Sequence, residues 1–194
     1  MDIMELITSQ LSNPEALKKL SKSVNADESQ VEQLTQLGMP VLLEALNRNA
    51  STPQGAAALA DALDSHKDDN VSDLMGFFDN VDTADGAKIL QHVLLDKNDR
   101  VQNSLARQTG MDANQVAGLL SQLAPLLLGA LGNQKKDQNL DASGVSGLTS
   151  SLTGMLGQSE KGGLLGLAMQ MLDADKDGSI VDDISNIIGK FLKK

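Results

Sequence analysis

Apolar residues recur at spacings of three and four along most of the chain, the period of a helix buried on one face. Ile3, Leu6, Ile7 and Leu11 share such a face. Leu17 and Leu20 share the next, followed by Val31, Leu34 and Leu37, then Val41, Leu42 and Leu46. No segment sustains strand alternation, and Leu and Ala far outnumber β-branched residues. The pattern predicts an all-α protein. Its punctuation agrees. Asn13-Pro14-Glu15 reads as an N-cap, a proline at the first helical position and an acid in the first turn. Asp27 and Asp112 are N-cap signals, and Ser51-Thr52-Pro53-Gln54 opens a further helix. Gly38-Met39-Pro40 predicts a break, because a proline disfavours helix at the residue before it.

The same pattern occurs twice. Residues 20–46 align without gaps on residues 105–131, and ten of the 27 pairs are identical, among them Asp27/Asp112, Gln30/Gln115, Val31/Val116, Leu34/Leu119 and Pro40/Pro125. Gly55, Leu59 and Leu63 match Gly144, Leu148 and Leu152 after a four-residue insertion. The chain therefore reads as an internally duplicated helical bundle with halves at 1–98 and 99–194. Two long apolar faces predict that the halves bury them against each other in one pseudo-symmetric domain. Two separate bundles are the alternative. Residues 133–163 are rich in Gly and Ser, yet Val145, Leu148, Leu152, Met155 and Leu156 keep a helical stripe. They read as a solvated loop followed by a helix of low propensity, with a plain flexible linker as the alternative.

Composition narrows the chemistry. The 194 residues carry 16 Lys and Arg against 26 Asp and Glu, a formal net charge of -10, which opposes binding to a phosphate backbone. No Cys is present, so no disulfide or thiolate site exists, and three Phe with no Trp or Tyr make no stacking platform. The N-terminal segment carries Asp2 and Glu5 where a signal peptide has positive charge. The longest uninterrupted apolar run, residues 124–131, is far short of the roughly 20 residues of a membrane span. A cytoplasmic protein without a membrane span or a nucleic-acid partner is expected.

Four motifs carry a resemblance: P-V-L-L-E-A-L-N-R-N-A at 40–50, G-A-A-A-L-A-D-A-L-D at 55–64, G-A-K-I-L-Q-H-V-L at 86–94 and A-P-L-L-L-G-A-L-G at 124–132. Together they resemble the bacterial domain-of-unknown-function 937 family over nearly the whole chain, and YidB-like proteins in part. The resemblance implies an all-helical bacterial protein and brings no activity, substrate or catalytic residue with it.

The sharpest chemical signal lies at 173–184, where Asp173, Asp175 and Asp177 alternate and Gly178 follows. This D-x-D-x-D-G run is the first half of an EF-hand loop. Ca²⁺ takes six to eight oxygens, and alternate carboxylates in a tight turn supply them. Ser179 would add its backbone carbonyl, and Ile180 holds the apolar eighth place. Leu164, Leu165, Leu167, Ala168, Met171 and Leu172 read as an entering helix, and Ile184, Ile187, Ile188 and Leu192 as a leaving one. Ile184 stands at position twelve, where a bidentate Glu is usual. Asp183 is the best substitute and Asp182 the second. An Asp-rich turn between helices is the competing reading.

Other constellations are weaker. Residues 79–86 end in Asp85-Gly86 but space their acids by three, and read as a turn. Asp61, Asp64, Asp68, Asp69, Asp73, Asp79, Asp82 and Asp85 face only Lys67 within their own segment. They read as a solvated face with helix caps, or as a docking surface for a basic partner. Residues 105–116 scan like a helix-turn-helix, but Asp112 there, and Asp27, Glu28 and Glu32 in the matching copy, would meet phosphates. His66 reads as a loop residue, and His92 as a helix-surface or satisfied core residue. They share no metal-ligand spacing, and no nucleophile or phosphate-binding motif appears. The expectation is a non-enzymatic protein binding one Ca²⁺ through Asp173, Asp175, Asp177, Ser179 and Asp183. An ion-free interaction module using the acidic face or an interhelical groove is the alternative. A lone EF-hand also pairs across dimers, which opens a route to self-association.

Overall fold

The side-chain oxygen of Asn13 accepts from the Glu15 amide at 2.9 Å, so the first long helix starts at the proline that the sequence marks. The same logic sets most later boundaries. The computed structural model describes residue 3 and residues 10–158 and 162–172. In chain order the α-helices are α1 (Pro14–Val24), α2 (Glu28–Asn49), α3 (Pro53–His66), α4 (Leu74–Asn80), α5 (Thr83–Leu94), α6 (Asn98–Thr109), α7 (Ala113–Gln138), α8 (Ala142–Gln158) and α9 (Gly162–Leu172). Among the described residues there is no strand. The protein is all-α. Thr52, Asp73, Asp82 and Asp112 cap the helices that follow them.

Two helices form the centre. Every residue from 37 to 46 in α2 and from 119 to 132 in α7 is buried. By length and composition α7 would serve as a membrane span, yet 83% of its most apolar window is buried against the other helices. Each central helix carries a proline. The break expected at Gly38-Met39-Pro40 does not occur, because α2 continues through Pro40 as α7 does through Pro125. An interior proline removes one hydrogen bond and costs about 3 kcal/mol. Burial on all sides of these turns offsets that cost, at roughly 25 cal/mol per Å² of apolar surface removed from water.

Pro125 also frees the Ser121 carbonyl, and α5 fits over it. A Cβ added to Gly86 would lie 1.8 Å from that oxygen. Only glycine lets the α5 backbone come so close, and α5 against α7 is an extensive helix contact.

The outer helices pack across the sequence rather than along it. α3 and α5 lie on α7, whereas α8 and α9 lie on α2, and α3 meets α8. α1 touches both α2 and α7, and α6 touches both α7 and α2. The turns before the central helices interlock. Gln30 accepts from the Asp27 amide at 3.2 Å and donates to the Gly110 carbonyl at 3.0 Å. Gln115 accepts from the Asp112 amide at 3.0 Å and donates to the Asn25 carbonyl. Asn25 and Gly110 are the left-handed caps of α1 and α6, with φ of +53° and +69°. One apolar cluster runs from Ile3 and Leu11 through both central helices to Met171 and Leu172.

The Gly/Ser-rich stretch is more ordered than its composition suggests. The solvated loop expected from residue 133 is instead the end of α7, which runs to Gln138 and closes on Asn139 at φ +51°. The loop shrinks to 139–141, and α8 replaces any flexible linker over 142–158. Val145, Leu152 and Leu156, buried with Thr149 and Thr153, hold α8 in place despite its weak propensity.

Gly86→Ala should destabilise the protein by about 1–3 kcal/mol, because the α5–α7 contact must open. Gly147 meets nothing within 4 Å, so Gly147→Ala should stabilise by up to about 1 kcal/mol. Urea unfolding of both variants checks this, and equal effects would contradict it.

Candidate functional site

The calcium-loop residues Asp173, Asp175, Asp177, Gly178, Ser179, Asp182, Asp183 and Ile184 lie outside the described residues, as does the leaving helix. The helix that precedes them is described. α9 buries Leu165, Ala168, Met171 and Leu172. Its C-terminal carbonyls face two arginines: Arg100 donates to Gln170 at 3.3 Å and Arg48 to Leu172 at 3.2 Å. Cations there satisfy orphan carbonyls and oppose the negative end of the helix dipole. Arg48 is held in turn by Glu44, its Nε donating to Oε1 at 3.0 Å. Glu44 is only 2% exposed, and its Oε2 has no hydrogen-bond partner among the described residues. The C-terminal end of α9 is thus tied to α2 through Arg48 and its pairing with the buried Glu44.

Sequence reasoning missed this clamp. Its signal was Glu44 inside L-L-E-A-L, a charge within an otherwise apolar run that must be buried and paired.

The acidic segment is largely occupied with internal contacts. Asp64 meets Lys135 at 2.7 Å and Lys67 at 3.8 Å, and Asp68 meets Lys136 at 2.6 Å. Asp79 pairs with Lys19. Asp73 accepts from the Gly76 amide, and Asp82 accepts from the amides of Ala84 and Asp85. The last two turns of α7 bring Lys135 and Lys136 to carboxylates some 70 positions earlier. The reading of Lys67 as the sole nearby cation holds only along the chain. Asp82 caps α5 in the run 79–86, where Asp85 and Gly86 already belong to the helix.

His66 is the last residue of α3 and not a loop residue. Its Nδ1 lies 2.9 Å from Asp69 and its Nε2 3.8 Å from Asp85. The ring faces a cavity of about 490 Å³ shared with Asp73, Phe77 and Pro125. Among the described residues, no three His, Asp or Glu side chains are grouped to hold a metal. His92 stands on α5, 26 positions away, with Nδ1 2.9 Å from the Lys88 carbonyl. The two histidines line different cavities. The helix-turn-helix scan at 105–116 falls on the turn between α6 and α7, and the second helix of that scan is the buried core helix.

A family model described as bacterial protein of unknown function (DUF937) matches residues 5–134. All four motifs lie inside that range, which is shorter than the near-complete coverage expected. The match ends before α8, α9 and the candidate loop. No curated protein and no solved structure matches the chain.

Hydrogen bonds and charge from Lys135 hold Asp64 below its ordinary pKa, and Lys136 does the same for Asp68. A depressed carboxylate stabilises the fold fully above the unfolded value near 3.8, and less as pH falls through the lower folded value. The α3–α7 clasp should therefore weaken only below about pH 4. Asp64→Asn with Asp68→Asn should flatten the fall in Tm below about pH 4. An unchanged profile would show that the clasp adds nothing.

Proposed function

The chain belongs to the DUF937 family of bacterial proteins, and we propose that it is a non-enzymatic helical protein that binds one Ca²⁺ through residues 173–184. Asp173, Asp175 and Asp177 would give side-chain oxygens and Ser179 its backbone carbonyl. Gly178 would allow the bend, and Asp183, or Asp182 in its place, would complete the set. The observation that carries this reading is the strict alternation of three Asp before a Gly, more than a plain turn requires. The docking of α9 supports it, since an EF-hand loop needs a fixed entering helix and Arg48 and Arg100 restrain this one. Ile184 in place of the bidentate Glu points to modest affinity.

The competing reading, an ion-free module that takes a basic partner on its acidic face, has less support. Asp64, Asp68 and Asp79 already pair with lysines of the same chain. Calorimetry should show saturable heat with up to millimolar Ca²⁺ and a raised Tm, both lost in Asp173→Ala/Asp175→Ala. No heat and an unchanged Tm would refute calcium binding and leave the interaction module.

The aligned pairs also support the proposal that the chain is a duplicated unit folded as one pseudo-symmetric domain. Gln30 and Gln115 reach to equivalent caps, and the later helices of each half lie on the central helix of the other. Limited proteolysis should yield no stable half corresponding to 1–98 or 99–194. Recovery of two independently folded halves would overturn it.

A further inference from the structure

A second cavity, of about 510 Å³, opens between α3 and α5, with the end of α2 and Leu128 of α7 as its floor. That volume is the size of a small-molecule site. Gly55, Ala58 and Ala62 make the α3 wall shallow, while Leu59, Ile89 and Val93 line the interior. The interior walls are aliphatic, and no Phe lines them. They suit a flexible hydrocarbon tail better than a flat ring.

The mouth is asymmetric. Lys88, His92 and Asp85 stand there. Asp85 has the His66 Nε2 3.8 Å away on the side of the other cavity. Lys88 is exposed, and no ion pair engages its ammonium among the described residues. The Nδ1 of His92 is taken by the Lys88 carbonyl, which fixes the ring beside that lysine. Below, Asn49 donates to the Val93 carbonyl at 3.0 Å and ties α2 to α5 under the cavity.

An aliphatic pocket with an unpaired ammonium at its mouth complements an anion carrying a hydrocarbon chain. We propose that the α3–α5 cavity binds an anionic aliphatic amphiphile of the fatty-carboxylate class, its tail along Leu59, Ile89 and Val93 and its carboxylate at Lys88. This site is independent of the calcium loop, so either proposal stands or falls alone.

Calorimetry with dodecanoate below its micelle concentration tests it on the full chain. One molecule should bind per chain. Lys88→Glu should weaken dodecanoate about tenfold or more while leaving dodecyltrimethylammonium binding equal or stronger. Ala58→Phe, at an exposed position of the α3 wall, should reduce binding of both by filling the cavity. Circular dichroism matching the wild type shows that the variants fold. Absence of saturable binding would overturn the proposal. Unchanged dodecanoate affinity in Lys88→Glu would overturn it too, since only apolar adsorption would remain. Binding of an amphipathic helical peptide but not of dodecanoate would assign the cavity to a protein partner and equally refute it.

Discussion

Two helices buried on every side set the terms for everything else. An ordinary surface helix needs cover on one stripe only, and neighbours along the chain usually provide it. Residues 37–46 and 119–132 need cover all round, which no single flanking helix supplies. The remaining helices are distributed to meet that demand, with α3 and α5 against α7 and α8 and α9 against α2. The prolines fit the same constraint. Pro125 is tolerated because packing outweighs one lost hydrogen bond, and the carbonyl it frees becomes the point where Gly86 seats α5.

Charge is used locally. Among the aspartates that look like a diffuse acidic face, Asp73 and Asp82 are helix caps, and Asp64, Asp68 and Asp79 are partners for lysines of α7 and α1. Exposed pairs of this kind each contribute little, because water and salt screen them. They matter more for register, because each one ties the end of one helix to a defined turn of another. The Glu44–Arg48 pair differs because it is buried. Removing one partner there would leave a charge without compensation, a far larger penalty than losing a surface pair. That pair and Arg100 make the end of α9 a fixed point in the molecule.

The helical class, most helix starts and the family were legible from spacing and caps. Asn13, Thr52 and Asp112 cap as their residue types predict, because capping is decided within four residues. The false break at Pro40 and the false loop at 133–138 share one cause. Both rest on local preference, and both were overridden by contacts distant in sequence, core burial in the first case and Asp64 and Asp68 in the second. Glu44 within an apolar run hinted at a buried charge, but the partners of the arginine clamp and the aliphatic cavity could not be read because each is assembled from three or more helices. The D-x-D-x-D-G run is the opposite case: its chemistry sits in consecutive residues, so the sequence alone was enough to propose it.

The crossed packing bears on how the protein is made. α2 leaves the ribosome long before α8 and α9, its main cover. About 90 residues separate Asn49 from Ala142, so at about 5–20 residues per second the wait is on the order of ten seconds. During that interval the apolar surface of 37–46 lacks its two largest partners, although α1 is already there to cover part of it. The nascent chain must shield it with temporary neighbours or a chaperone, and any pause in translation between α3 and α8 lengthens the exposure.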